Sequence, residues 1–93
     1  MKLEFESSFN RDLKKIPVEV LAELENVLVA IETAISLQTI PYSIKKMSGY
    51  PKLKAFRLKF NQNRDFRIGF YLDSDTLILS RILDRKEIYK SFP

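Results

Sequence analysis

Residues 53–83 read LKAFRLKFNQNRDFRIGFYLDSDTLILSRIL, and the repeat of their apolar positions decides the fold. Leu53–Phe60, Phe66–Leu72 and Thr76–Leu83 each alternate with a period of two, and the breaks between them, NQNRD and DSD, are rich in turn formers. Successive side chains leave a strand on opposite faces, so period two marks a strand, and three such segments predict an antiparallel meander. On the first strand Phe56, Leu58 and Phe60 share one face while Arg57 and Lys59 share the other. On the second, Phe66, Ile68 and Phe70 oppose Arg67, Gly69 and Tyr71. The aromatics are therefore expected to face a core, and the cations to face away from it.

A one-sided apolar sheet needs a cover, which the preceding chain supplies. KLEFE, residues 2–6, alternates Leu3 and Phe5 with charges and suits a short half-buried strand. Ser7 or Ser8 can cap a helix whose stripe is Phe9, Leu13 and Ile16 and which Pro17 ends; Pro17 also suits the first position of the next helix. Val20, Leu21, Leu24, Val27, Leu28, Ile31 and Ile35 then hold helical spacing, predicting an amphipathic helix over roughly residues 18–38. Residues 39–52, TIPYSIKKMSGYPK, carry Pro41, Gly49 and Pro51 and read as a loop, with one short strand or turn at Ile44–Met47. The expected architecture is α+β: an N-terminal strand, a helical hairpin and a three-stranded antiparallel meander, with the helices packed on one face of the sheet and the other face free. Residues 1–93 are expected to form a single domain.

Composition limits what that free face can do. The chain has no Cys and no His, which excludes disulfides, Cys or His zinc sites, thiol nucleophiles and imidazole catalysis. Any chemistry falls to Lys, Arg, Tyr, Ser or carboxylates, and no metal or cofactor is expected. There is no apolar run of membrane-spanning length and no leader-like start in MKLEFESS, so a cytoplasmic chain without membrane attachment is expected. Residues 1–44 hold four basic and seven acidic side chains; residues 45–93 hold twelve and five. A cationic surface confined to one part of a small domain suits a nucleic acid, and also an acidic protein partner.

Electrostatic cost does not choose between a phosphate-holding surface and a solvated cationic face. Cations two apart on a strand lie roughly 7 Å apart and repel by about 0.6 kcal/mol in water, or about 2.4 kcal/mol at an effective dielectric of 20. Edge strands also carry Lys to discourage pairing. Two features favour a site. Gly69 shares the face of Arg67, where a missing side chain either admits a ligand or another backbone or marks a bulge. DRKEIYK then follows the last strand, and Arg85 and Tyr89 can fold back beside the cationic face unless they form a solvated tail. Asp73 and Asp75, in LDSDT, read as turn residues.

Arg57 and Lys59 on one strand, Arg67 within FRIGFYL, the KKMSGYP loop and the closing Arg-Lys-x-x-Tyr together resemble the RelE/ParE superfamily of toxin–antitoxin toxins, and within it the RelE-like mRNA interferases. The likeness runs over nearly the whole chain. It implies a bacterial toxin that binds in the ribosomal A site and cleaves mRNA without a metal, the 2′-hydroxyl attacking the neighbouring phosphate, and that a cognate antitoxin neutralises. By motif position it implies catalytic roles for Lys59, Arg67, Arg85 and Tyr89 and RNA binding by Arg57, with Lys45, Lys46, Lys52 and Lys54 extending that surface. Asp84 departs from the pattern, since relatives often have His or another non-acidic residue there, and the chain runs only four residues past Tyr89. Either departure is expected to lower activity or alter which codons are cut.

That chemistry can proceed without histidine. It needs a base for the 2′-hydroxyl, cations for the phosphorane and an acid for the leaving 5′-oxygen. Planar guanidinium groups such as those of Arg67 and Arg85 suit the phosphorane. A phenol of pKa near 10 is only about 0.1% ionised at pH 7, but surrounding cations favour phenolate. The same cations disfavour a protonated Lys59, so Tyr89 and Lys59 are both open as base and acid. Two other readings fit a basic face on this fold: a ParE-like toxin that inhibits DNA gyrase by binding, and a non-catalytic relative that only binds antitoxin, as an added strand or as a docked helix.

Overall fold

The computed structural model describes residues 1–47, 54–61 and 64–93. Lys52, Leu53, the Gly49 part of the KKMSGYP loop and the tip of the NQNRD turn lie outside the described residues. The elements run β1 (Lys2–Phe5), α1 (Ser7–Leu13), α2 (Val18–Thr33), a 3-10 turn (Leu37–Thr39), β2 (Ser43–Lys46), β3 (Ala55–Asn61), β4 (Phe66–Asp73), β5 (Thr76–Asp84) and α3 (Arg85–Ser91). The strands form one sheet in the order β1-β5-β4-β3-β2, with β1 parallel to β5 and the other pairs antiparallel.

The alternation works as the spacing predicts. Phe56, Leu58, Phe60, Phe66, Ile68 and Phe70 pack with Phe9 of α1 and Val20, Leu24, Val27 and Ile31 of α2 in one core. Two bulges tune this face. One sits between Lys59 and Asn61 of β3; the other lies between Gly69 and Phe70 against β5, where Phe70 pairs with Leu79 and Gly69 with Arg81. The second lets Leu79 and Ile82, three residues apart, both reach the core.

β1 covers β5 only as far as Leu79. Beyond it the open edge is closed by side chains of α1. Ser8 donates to the Ser80 carbonyl at 2.6 Å, and the Asp12 carboxylate accepts from the Ile82 amide at 3.0 Å and from Arg81 Nε at 2.8 Å. Ser8 therefore satisfies a strand edge rather than capping its own helix, whose N-cap position is Glu6.

Three elements differ from the expectation. α2 stops at Thr33, and Ile35, assigned to its apolar stripe, is 89% exposed. The Met1 ammonium takes the carbonyls of Ile31, Glu32 and Ala34, ending the helix with a positive charge where its dipole favours one. Of the strand or turn expected at Ile44–Met47, the strand is formed, one residue earlier, as β2 at Ser43–Lys46, and its pairing with β3 adds a fifth strand to the sheet. Finally, residues 85–91 form a helix, and this one lies on the second face: its Ile88, with Phe92, buries against Ala55, Met47, Tyr71 and Leu83. A Cβ added to Gly69 would fall 2.5 Å from Phe92 Cγ, so the space opened at that glycine is filled by the chain's own ring.

No helix among the described residues is long and apolar enough to cross a membrane.

Candidate functional site

The second face of the sheet presents its cations in register. Across the strands run Ser43, Lys59 and Arg67 in one row, and Lys45, Arg57 and Gly69 in the next. Residues directly opposite in an antiparallel pair point to the same face, so Lys45, Arg57, Lys59 and Arg67 share one surface. Arg81, opposite Gly69, turns instead to Asp12 at the covered edge. Lys46 pairs with Phe56, so it points to the helix side, where it lines a cleft of about 330 Å³ with Leu37, Ile40, Tyr42 and Ile44. Lys46 thus stands apart from Lys45 and Arg57. Lys54 is exposed just before β3.

α3 completes the surface. Its first turn is held by Asp84, whose carboxylate accepts the Glu87 amide at 2.9 Å as a helix N-cap. The acidic residue that departs from the family pattern therefore anchors the helix carrying Arg85 and Tyr89. The sequence carried this signal: Asp84 with Glu87 three residues on is the spacing of a capped helix start. Ile88 and Phe92 then pin the helix to the sheet, which turns the ring of Tyr89 over Arg57.

The Arg57 guanidinium carbon lies 4.2 Å from the centroid of the Tyr89 ring and that of Arg85 5.5 Å from it. Both are within cation–π range. The ring remains 48% exposed, so the phenol is open to a ligand. Arg85 is the first cause that holds the phenol below its ordinary 10.0; burial opposes it, and the charges of Arg67 and Arg57 act with Arg85. Arg85 in turn is held more firmly protonated by the neighbouring Tyr89. The Nε of Arg57 is buried and has no hydrogen-bond partner among the described residues.

Asp65 also belongs to this surface, and nothing in its spacing marks it beyond its place in a turn. Its backbone is left-handed, with φ 57°. Its carboxylate accepts from Arg67 Nη1 at 2.7 Å, and its backbone carbonyl accepts from Arg67 Nη1 at 3.2 Å and from the Arg85 amide at 2.9 Å. The bond to Arg67 is the first cause that keeps its carboxyl below the ordinary 3.8, with Arg85 and Lys59 contributing charge. Arg67 itself is largely buried, its side chain 11% exposed. The sheet and α3 thus gather Lys45, Arg57, Lys59, Arg67, Arg85 and Tyr89, while Lys46 faces away and Lys52 lies outside the described residues.

No protein-family model matches the chain. Toxin RelE3 of Methanocaldococcus jannaschii is 32% identical over 93 residues, the full length of both chains. The solved RelB-RelE antitoxin-toxin complex from Methanococcus jannaschii contains a chain that superposes with a TM-score of 0.77 at 30% identity, over 97% of this chain and 99% of that one. A metal-bound toxin from Helicobacter pylori shares the fold, with a TM-score of 0.61 at 18% identity over 95% of this chain and 98% of its own.

Proposed function

The chain belongs to the RelE family of toxins, and on that premise we propose that it is the toxin of a toxin–antitoxin pair, a metal-independent endoribonuclease that cuts mRNA in the ribosomal A site and is neutralised by an antitoxin. The observation that carries the catalytic part is Tyr89: an exposed phenol whose ring stacks with the guanidinium of Arg57, with Arg85 also within cation–π range, so that the surrounding cations favour its phenolate. A residue serving only to pack has no need of that setting.

In this reading the Tyr89 phenolate takes the proton of the 2′-hydroxyl, whose oxygen bonds to the adjacent phosphorus. Arg67 and Arg85 hold the extra negative charge of the phosphorane. The bond to the 5′-oxygen breaks, and Lys59, beside Arg67 on the same face, supplies the proton that oxygen needs. The products are a 2′,3′-cyclic phosphate and a 5′-hydroxyl. Arg57 and Lys45 hold the flanking backbone by charge. A family neighbour was solved with its antitoxin, and an acidic antitoxin segment covering this face would neutralise it.

Primer extension on a defined mRNA in a cell-free translation reaction tests the reading, with wild type beside Tyr89→Phe and Arg67→Ala. The expected result is codon-phased cuts that need ribosomes and disappear in both variants. Intact mRNA with folded wild-type protein overturns it, and gyrase supercoiling becomes the next assay.

A further inference from the structure

Arg67 carries a constraint that its proposed role does not explain. Nη1 spends both of its hydrogens on Asp65, one on the carboxylate at 2.7 Å and one on the carbonyl at 3.2 Å. The Arg67 side chain makes no other hydrogen bond among the described residues, so the edge formed by Nε and Nη2 is left for an incoming ligand. A guanidinium binds an oxyanion in two-point fashion through such an edge. A carboxylate that blocked the site would occupy that edge; this one holds the opposite corner.

Asp65 can do this because it is itself anchored. Asn61, buried at the end of β3, accepts the Arg64 amide at 2.6 Å and donates to Glu23 of α2 at 2.6 Å, and Arg64 reaches Glu19 at 2.9 Å. The turn before β4 is thereby tied to the helix layer. Its left-handed residue presents a carbonyl and a carboxylate to the same place, and the carbonyl also receives the first amide of α3. Glycine would meet the backbone requirement more easily, so the carboxylate is what an aspartate adds.

We infer that Asp65 is a positioning residue of the site, locking Arg67 through Nη1 so that its Nε–Nη2 edge faces the scissile phosphate, and tying that arginine to the start of α3. The inference rests on the RNA-cutting reading above. Asp65 touches no substrate; it acts through Arg67.

The test uses the full chain as wild type, Asp65→Asn, Arg67→Ala and the double variant; asparagine tolerates the left-handed backbone and keeps the shape. Single-turnover cleavage is measured on ribosomes, binding on a non-cleavable 2′-deoxy oligonucleotide, and rotation of the Arg67 guanidinium by nitrogen-15 NMR. Asp65→Asn is expected to slow cleavage about 10- to 100-fold, because a misplaced guanidinium loses the phosphorane. Oligonucleotide affinity is expected to hold or tighten by up to about fivefold, since a negative charge has left a cationic face. A structural lesion would weaken both. Arg67 should rotate faster, and the double variant should cut no more slowly than Arg67→Ala alone. Rotation as slow as in wild type overturns the inference whether or not RNA is cut, and so does cleavage at the wild-type rate. If wild type cuts nothing, the RNase reading fails alone, and the rotation measurement still decides whether Asp65 holds Arg67.

Discussion

Replacing Phe92 with alanine should detach the helix that carries Tyr89 while leaving the main core folded. Phe92 is 3% exposed, its ring lies over Gly69 with its centroid 5.1 Å from that of Tyr71, and among the described residues Ile88 and Ala55 are buried with it. Removing a buried phenylalanine costs about 3–5 kcal/mol. A helix of seven residues has little stability of its own, so the loss falls on docking rather than on the whole fold. Taking about 3 kcal/mol, the opening constant of α3 rises roughly a hundredfold. Hydrogen exchange at the Phe92 amide, which donates to Ile88, and at the capped Glu87 amide should quicken by that factor. Amides of β4 and β5 should keep their protection. Moved away from Arg57 and Arg67 on the sheet, the Tyr89 phenol should titrate nearer its ordinary 10.0. An internal control is available, because Gly69→Ala pushes a methyl into the Phe92 ring and should cost about 1–3 kcal/mol alone but little in the Phe92→Ala background. Unchanged α3 exchange with a still-lowered Tyr89 titration would refute the reasoning.

Asp84→Ala should cost about 1 kcal/mol, seen as faster exchange confined to α3, and Asp84→Ser should recover most of it. Asp12→Ala strands the Ile82 amide and unpairs the partly exposed Arg81; urea unfolding should show a global loss of about 2–3 kcal/mol with an unchanged slope. Arg85→Gln removes the main cause of the lowered Tyr89 pKa, so carbon-13 titration should place the phenol nearer 10.0. Because the proposed base is the phenolate, cleavage rises with pH through that pKa, and this variant should need a higher pH to reach half its maximum.

The sheet was legible because its signal is local. Alternation in residues 53–83 assigns the core and site faces before any contact is known, and the stripe of α2 does the same for the helix layer. β2 was legible only as a short strand or turn at Ile44–Met47, since four residues of SIKK carry too short a period to choose between them; pairing with β3 makes residues 43–46 a strand. Ile35 continued the helical spacing in sequence, but the Met1 ammonium that ends the helix arrives from 30 residues away. At the site, Arg57, Lys59 and Arg67 follow from strand parity, and Tyr89 from docking of the terminal segment. Lys46 was misplaced because its strand partner, Phe56, sets its face. Asp65 was invisible because an ion pair across a left-handed turn leaves no spacing to read.

α1 and α2, with the glutamates of α2, lie on one side of the sheet and the arginine cluster with α3 on the other. The protein is therefore an electric dipole directed roughly through the sheet, with residues 1–44 net negative and residues 45–93 net positive. Near a polyanion such a body experiences a torque before it makes contact, and it arrives with the Tyr89 side leading. The orienting range is set by ionic strength, about 10 Å at 0.1 M. Salt should then act first on how often an encounter is correctly oriented, and only later on how long a complex lasts.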